Sequence, residues 1–284
     1  MVPRYFAAVD ELMAYRGAAL HPAETALLQF LKGRAGHNVK HNHKQGTTVR
    51  SIDWLITRST IGYNSPMSEY LDLANWARRD LFEFFRDFDN PYFNICTRVD
   101  VTNLLAALRQ RPGVSVSLAY HYLALRIANE MEPFRYRLKE GRVIVHDRIN
   151  GGTTVLLPNE SFIFAYFDYE KEFDKFISTA ARNVKQAQLG NRRLQPDSSD
   201  NAIHFTTLPW VSFTSFAHAR NWGREDSVPK IAFGKFTTEN HRTLLPISVE
   251  VHHALMDGIH VGRYLNRFEE MLGEPENYLG SGDT

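Results

Sequence analysis

The segment Leu244-Leu-Pro-Ile-Ser-Val-Glu-Val-His-His-Ala-Leu-Met-Asp-Gly-Ile-His-Val-Gly-Arg263 constrains the fold more than any other stretch of the chain. Up to His253 it alternates as a strand does. Ile247, Val249, Val251 and His253 fall on one face, and Ser248, Glu250 and His252 project from the other. Asp257 and Gly258 then turn the chain toward a closing helix, Gly262–Leu272, in which Val261, Tyr264, Leu265, Phe268 and Leu272 share a face. The alternation sets His253 at the end of an apolar row. An apolar setting disfavours imidazolium, and a neutral imidazole is what a general base requires. The plainer reading is a core histidine held by hydrogen bonds. His252, on the opposite face, reads as structural. Adjacent histidines on a strand point apart, so they do not share a metal ion.

The remainder divides into two unlike parts. Residues 1–66 hold two short helical patterns, near Val9–Tyr15 and Ala23–Lys32, followed by a polar stretch from Gly33 to Gly46. His37, His41 and His43 lie there without a fixed scaffold or acidic partner, so a polar loop is expected and not a metal site. Regular patterning begins at Met67. Trp76–Phe88 reads as a helix with Ala77, Leu81, Phe84, Phe85 and Phe88 on one face, and Val101–Arg109 and Val116–Asn129 continue as amphipathic helices. Arg142–His146 and Phe162–Phe167 read as strands, and Tyr169–Val184 as a helix with Phe173, Phe176, Ile177 and Ala180 along its stripe. Asn191–Asn201 reads as a loop, and apolar runs follow at Ile203–Phe216 and Lys230–Phe236. Helices and strands interspersed in this way point to an α/β or α+β sandwich.

Composition removes several function classes. The apolar fraction of 43 % is enough for a large core. Lys and Arg (33) nearly balance Asp and Glu (32), which leaves no electrostatic reason to expect a nucleic-acid or anionic-membrane partner. A single cysteine, Cys96, excludes an intrachain disulfide and a cysteine-based zinc cage, and it fits a reducing cytoplasm. No apolar run approaches the roughly 18 residues of a membrane span. Arg4, Asp10, Glu11 and Arg16 interrupt any signal-peptide core, so the chain reads as soluble and intracellular.

His252-His253-x-x-x-Asp257-Gly258 matches the His-His-x-x-x-Asp-Gly signature of CoA-dependent acyltransferases, a motif that dihydrolipoyl acyltransferases and peptide-synthetase condensation domains share. The surrounding residues are more specific. Pro246–Arg263 and Leu208-Pro-Trp-Val-Ser-Phe-Thr-Ser-Phe216 resemble chloramphenicol acetyltransferases nearly residue by residue. Asn75–Phe85, Pro133-Phe-Arg135 and Val143–Asp147 are weaker matches in the same order, so the resemblance runs from about Met67 to Leu272.

The resemblance implies an acetyltransferase domain over 67–284, a two-layer α/β sandwich with a mixed sheet, and a homotrimer with active sites between subunits. It also implies acetyl-CoA as co-substrate, no resident cofactor, and a hydroxyl of chloramphenicol as acceptor. By the same resemblance His253 removes the acceptor's proton, and that oxygen attacks the thioester directly, without an acyl-enzyme. The ring would be oriented by its own backbone carbonyl. Asp257 would be a structural aspartate paired with Arg78, and Ser215 would hydrogen-bond the tetrahedral oxyanion. On strand alternation Ser215 shares a face with Val211 and Phe213.

Some positions depart from the family pattern. Ala232 stands where the family has a water-holding threonine, and Asp89 and Pro91 stand where small apolar residues line the drug pocket. Phe85 and Phe162 keep aromatic bulk there. Lys235 aligns with a lysine near the CoA site, where it would either meet a phosphate or stay solvated. Two alternatives therefore stand beside chloramphenicol acetylation: the same chemistry on another small-molecule acceptor, and a non-catalytic protein that binds drug or CoA. Residues 1–66 show none of the family motifs and read as an added domain or as an upstream stretch from a misassigned start.

Overall fold

The computed structural model describes residues 68–190, 200–220 and 225–280. The N-terminal extension, with its two short helical patterns and its three histidines, lies outside the described residues, as does most of the Asn191–Asn201 loop. Along the chain run β1 (Ser68–Tyr70), α1 (Arg79–Phe85), β2 (Tyr92–Asp100), α2 (Thr102–Arg109), α3 (Val116–Glu130) and a 3-10 turn (Glu132–Arg135). Then come β3 (Tyr136–Lys139), β4 (Arg142–His146), β5 (Asn150–Leu156), β6 (Phe162–Phe167), α4 (Phe173–Leu189) and β7 (Ala202–Thr207). The chain closes with β8 (Lys230–Phe233), β9 (Thr237–Glu239), β10 (Arg242–His252), α5 (Gly258–Gly273) and α6 (Glu276–Leu279).

A mixed sheet in the order β2-β10-β8-β7-β5-β6, with β9 added beside β10, forms one layer. β10 runs antiparallel to β2 and β8, while β7 lies parallel to both β5 and β8. A separate antiparallel sheet joins β1, β4 and β3. Ile247, Val249 and Val251 point into the helix layer, where they join a core with Leu123 of α3 and Val261, Tyr264 and Phe268 of α5. The Tyr264 hydroxyl donates to the Ala124 carbonyl at 2.8 Å, which ties α5 to α3. This is the two-layer α/β sandwich with a mixed sheet that the sequence led us to expect.

Two expectations are corrected. The first helix is shorter than Trp76–Phe88, and its apolar stripe faces outward: Leu81, Phe84 and Phe88 are exposed, Phe84 to 62 %. The buried residue is Phe82, whose ring lies 5.9 Å from Trp76. The run Ile203–Phe216 is a strand only as far as Thr207. Leu208 N–H makes a bond to the Phe233 carbonyl, and Pro209, without an N–H, cannot extend the ladder. The polar face of β10 is covered as well, since Ser248, Glu250 and His252 are nearly as buried as the residues between them.

Five strands, β1, β2, β3, β5 and β9, were not legible in the sequence. β2 is an edge strand without clean alternation, yet it pairs with β10 from Tyr92↔His252 to Asp100↔Leu244. β5 carries Gly151-Gly152, two residues without side chains to mark a strand. Both glycines sit under aromatic rings of β6: a Cβ at Gly151 would come within 2.2 Å of the Phe167 ring, and one at Gly152 within 2.7 Å of Tyr166.

Candidate active site

β10 ends at His252, and the chain turns at once, with the Leu255 and Met256 N–H groups donating to the His252 carbonyl at 3.0 and 3.1 Å. The two histidines therefore differ in environment, but not in the way strand alternation suggests. His252 is the buried one. Its Nδ1 accepts from the Ala254 N–H at 3.2 Å, and burial, reinforced by the nearby Arg220 charge, lowers its pKa to about 4. His253 lies in the turn with 34 % of its side chain exposed.

The backbone of His253 is held at both ends. Its N–H donates to the Pro91 carbonyl at 2.6 Å, and its carbonyl accepts from Arg78 Nη2 at 3.2 Å. The ring lies between two aromatics: Phe85 is stacked on it at 3.9 Å and 7°, and Phe93 is tilted against it at 4.7 Å. Nδ1 is buried 3.1 Å from Asp257 Oδ1, but the geometry is not that of a hydrogen bond, and no other acceptor among the described residues takes its place. The bond from the ring to its own carbonyl, implied by the resemblance, is therefore not formed. With Nδ1 turned inward, Nε2 is the nitrogen open to a substrate.

Asp257 is the N-cap of α5 and accepts from Arg78 Nη1. Burial raises its pKa, but the hydrogen bond and charge of Arg78 outweigh burial and hold the carboxyl below its usual range. Arg78 thus joins α1 to the start of α5 and grips the His253 carbonyl on the way.

The other expected site residues are scattered within the single chain. Ser215 is exposed, lies outside any strand, and makes no hydrogen bond to another described residue. Phe162 is exposed on edge strand β6, and Asp89 and Lys235 are exposed. Ala232 is fully buried in β8, opposite Ser248 and Thr206. Pro91 is buried behind His253, where it serves as the acceptor already described. Only Phe85, Asp257, Arg78 and Pro91 gather at the histidine.

A cluster of charge beneath β10 had no counterpart in the sequence reading. The irregular stretch after β7 crosses the polar face of β10 and is pinned there. Arg220 Nε donates to Glu250 Oε1 at 2.6 Å, the His218 N–H donates to Glu250 Oε2 at 3.1 Å, and Asn94 bridges Ser248 to the Phe216 carbonyl. Asp226 accepts from Arg220 at 3.1 Å and from Lys230 at 3.0 Å, while the Arg220 guanidinium lies 4.2 Å from the Tyr92 ring centroid. Burial lowers the Lys230 pKa, helped by the like charge of Arg220, and burial lowers His218 to about 4. A clue existed in Glu250, a carboxylate inside an apolar strand that needs a buried partner. Gly234 lets the stretch sit close, since a Cβ there would lie 3.0 Å from the Val211 carbonyl oxygen. Ser215 is carried on this pinned segment.

Among the described residues no group of three or more His, Cys, Asp or Glu side chains could hold a metal ion, and no helix is long and apolar enough to cross a membrane.

Comparison with known proteins adds five findings. Residues 67–269 match the family model described as chloramphenicol acetyltransferase. The chain is 32 % identical to a chloramphenicol acetyltransferase of Streptomyces acrimycini, over 74 % of this chain and 96 % of that one. It is 31 % identical to chloramphenicol acetyltransferase 3 of Escherichia coli, over 70 % of this chain and 94 % of that one. A solved chloramphenicol acetyltransferase structure superposes with a TM-score of 0.65 at 28 % identity, covering 72 % of this chain and all of the other. A dihydrolipoamide acetyltransferase of Azotobacter vinelandii superposes with a TM-score of 0.52 at 15 % identity, over 84 % of this chain and all of the other, a likeness of fold alone.

Proposed function

Since the chain belongs to the chloramphenicol acetyltransferase family, a family of acetyl-CoA-dependent acyltransferases, we propose that it transfers acetyl from acetyl-CoA to a hydroxyl of chloramphenicol. The observation that carries this reading is the presentation of His253: a fixed backbone, a ring clamped by Phe85 and Phe93, and Nδ1 turned inward. Nε2 takes the acceptor's hydroxyl proton, and the oxygen attacks the thioester carbonyl. The tetrahedral intermediate then collapses, its C–S bond breaks, and the imidazolium returns the proton to the CoA thiolate. No acyl-enzyme and no resident cofactor are involved.

The Ser215 hydroxyl, exposed and without a partner among the described residues, is suited to donate to the oxyanion. We place it opposite His253 across a contact between copies, in a homotrimer. Exposed apolar side chains near both residues support such a contact: Phe84 and Phe88 on the His253 side, Trp210 and Val211 on the Ser215 side. Lys235 is free to meet a CoA phosphate. Phe162 would wall the acceptor pocket, and its exposure leaves it available to do so. A reducing cytoplasm suits a chain with one cysteine.

A second acceptor is favoured by two observations. Asp89 puts an exposed carboxylate near the exposed aromatics of α1, and the buried Ala232 has no hydroxyl with which to hold a water. Measuring CoA thiol release with chloramphenicol and with a panel of other alcohols separates the two. Turnover with another alcohol and none with chloramphenicol would replace the acceptor and keep the mechanism. Chloramphenicol binding with no thiol release from any acceptor would instead mark a sequestering protein.

A further inference from the structure

Ser215 is carried by a stretch with few fixed points. The Val211 carbonyl accepts from the Lys235 N–H at 2.8 Å, and no hydrogen bond to another described residue holds residues 212–215. The next anchor is the Phe216 carbonyl, one residue beyond Ser215, which accepts from Asn94 Nδ2. After it comes the His218 N–H on Glu250, three residues away. Ser248 Oγ also lies 3.4 Å from the Phe216 carbonyl oxygen. A hydroxyl has one hydrogen, however, and the shorter bond to Asn94 Oδ1, at 3.0 Å, claims it. The backbone beside Ser215 therefore depends on Asn94.

Asn94 lies on β2, opposite Glu250 of β10. Its neighbours fix which way the amide points, because a carbonyl only accepts and so faces the nitrogen. Oδ1 takes the hydrogens of Ser248 Oγ and, at 3.3 Å, of Cys96 Sγ. Nδ2 also reaches Ser248 Oγ at 2.8 Å, so both of its hydrogens are engaged. An amide bonded at every group has one orientation to offer. We infer that Asn94 is a positioning residue for acetyl transfer: through the Phe216 carbonyl it fixes the backbone from which the Ser215 hydroxyl meets the oxyanion. Resting on the proposed reading of Ser215 as the oxyanion donor, this role needs no contact between Asn94 and substrate. A donor displaced by about 1 Å loses much of its effect, because the tetrahedral oxygen has a defined place and hydrogen bonds weaken steeply off their geometry. The rival role is direct contact, since Asn94 also lines a cavity of about 490 Å³ between β2 and the pinned stretch.

Steady-state thiol release by the full chain tests the role with Asn94→Leu, Ser215→Ala and the double variant. Acetyl-CoA and chloramphenicol are the probes, and the alcohol turned over best replaces chloramphenicol if that is inert. Leu fills the space of Asn without its hydrogen bonds. Ser215→Ala alone should lower kcat by about 10²-fold or more. Asn94→Leu alone should lower kcat by about tenfold and leave KM for both substrates within about twofold. In the Ser215→Ala background, Asn94→Leu should change kcat by less than about twofold, since the group it positions is gone. A comparable loss in both backgrounds would assign Asn94 to substrate contact or to packing and overturn the inference. Wild-type kcat in Asn94→Leu would overturn it too. Asn94→Ala runs the same cycle should Asn94→Leu not fold. Wild-type kcat in Ser215→Ala would remove the reading of Ser215, and the role of Asn94 with it, while leaving His253 as the base. Wild-type protein that releases no thiol with any acceptor would remove the transferase reading and the inference together.

Discussion

The Phe85 ring lies face to face with the His253 imidazole, centroids 3.9 Å apart and planes 7° from parallel. With no hydrogen bond to Nδ1, this stack and the tilted Phe93 ring are what fix the imidazole plane. Phe85→Ala is expected to lower kcat for acetyl transfer by between about 10- and 100-fold, because a misaligned base loses most of its effect. Phe85→Tyr, which keeps the stack, should stay within a few-fold of wild type. Equal rates in Phe85→Ala and wild type would show that the ring is oriented some other way.

His253→Ala and His252→Ala should separate chemistry from stability. The first removes the proposed base from a half-exposed position, so acetyl transfer should fall by at least about 10²-fold with little change in Tm. The second removes a buried ring packed against Tyr92 and bonded to the Ala254 N–H, so Tm should fall. Parallel thermal melts and thiol-release assays read both effects.

Arg220 and Glu250 are almost wholly buried and bonded at 2.6 Å. Arg220→Met strands the carboxylate and should lower unfolding stability by about 3–5 kcal/mol. Arg220→Met combined with Glu250→Gln should recover part of that loss, because the stranded charge is gone. Urea unfolding of the two singles and the double completes the cycle.

Four buried histidines set an acid limit on stability. His204, His218 and His252 have pKa values near 4, and His121 near 3, each lowered chiefly by burial. The unfolded chain protonates them near pH 6.5, so below that pH it binds protons that the folded chain refuses. Stability should therefore fall as pH drops from about 6.5 toward 4, by about 1 kcal/mol per pH unit for each histidine. Melting curves at successive pH values check the direction, and a Tm that rises on acidification through that window would contradict it. Asp257 adds a loss at lower pH. Its depressed pKa means that its stabilisation is present above the ordinary carboxylate range and disappears as pH falls through the folded value.

Periodicity made most of the sandwich legible. β4 and β6 lie where β-branched and aromatic runs placed them, and Val261, Tyr264, Leu265, Phe268 and Leu272 of α5 are all buried, as the helical spacing required. Periodicity is silent or misleading where a segment's partners lie elsewhere in the chain. β5 leaves no readable pattern, because the Phe167 and Tyr166 rings that pack over Gly151 and Gly152 belong to another strand. The stripe of α1 reads as a core face because an exposed apolar surface and a buried one have the same spacing.

The sequence by itself determined the family, the strand that leads into the two histidines, and the pairing of Arg78 with Asp257, because these reside in short contiguous motifs or in a resemblance that spans them. Only the tertiary structure decided which histidine is buried. Alternation assigns faces but cannot say what covers them, and the segment that covers the polar face of β10 is irregular and anchored by Arg220 on Glu250.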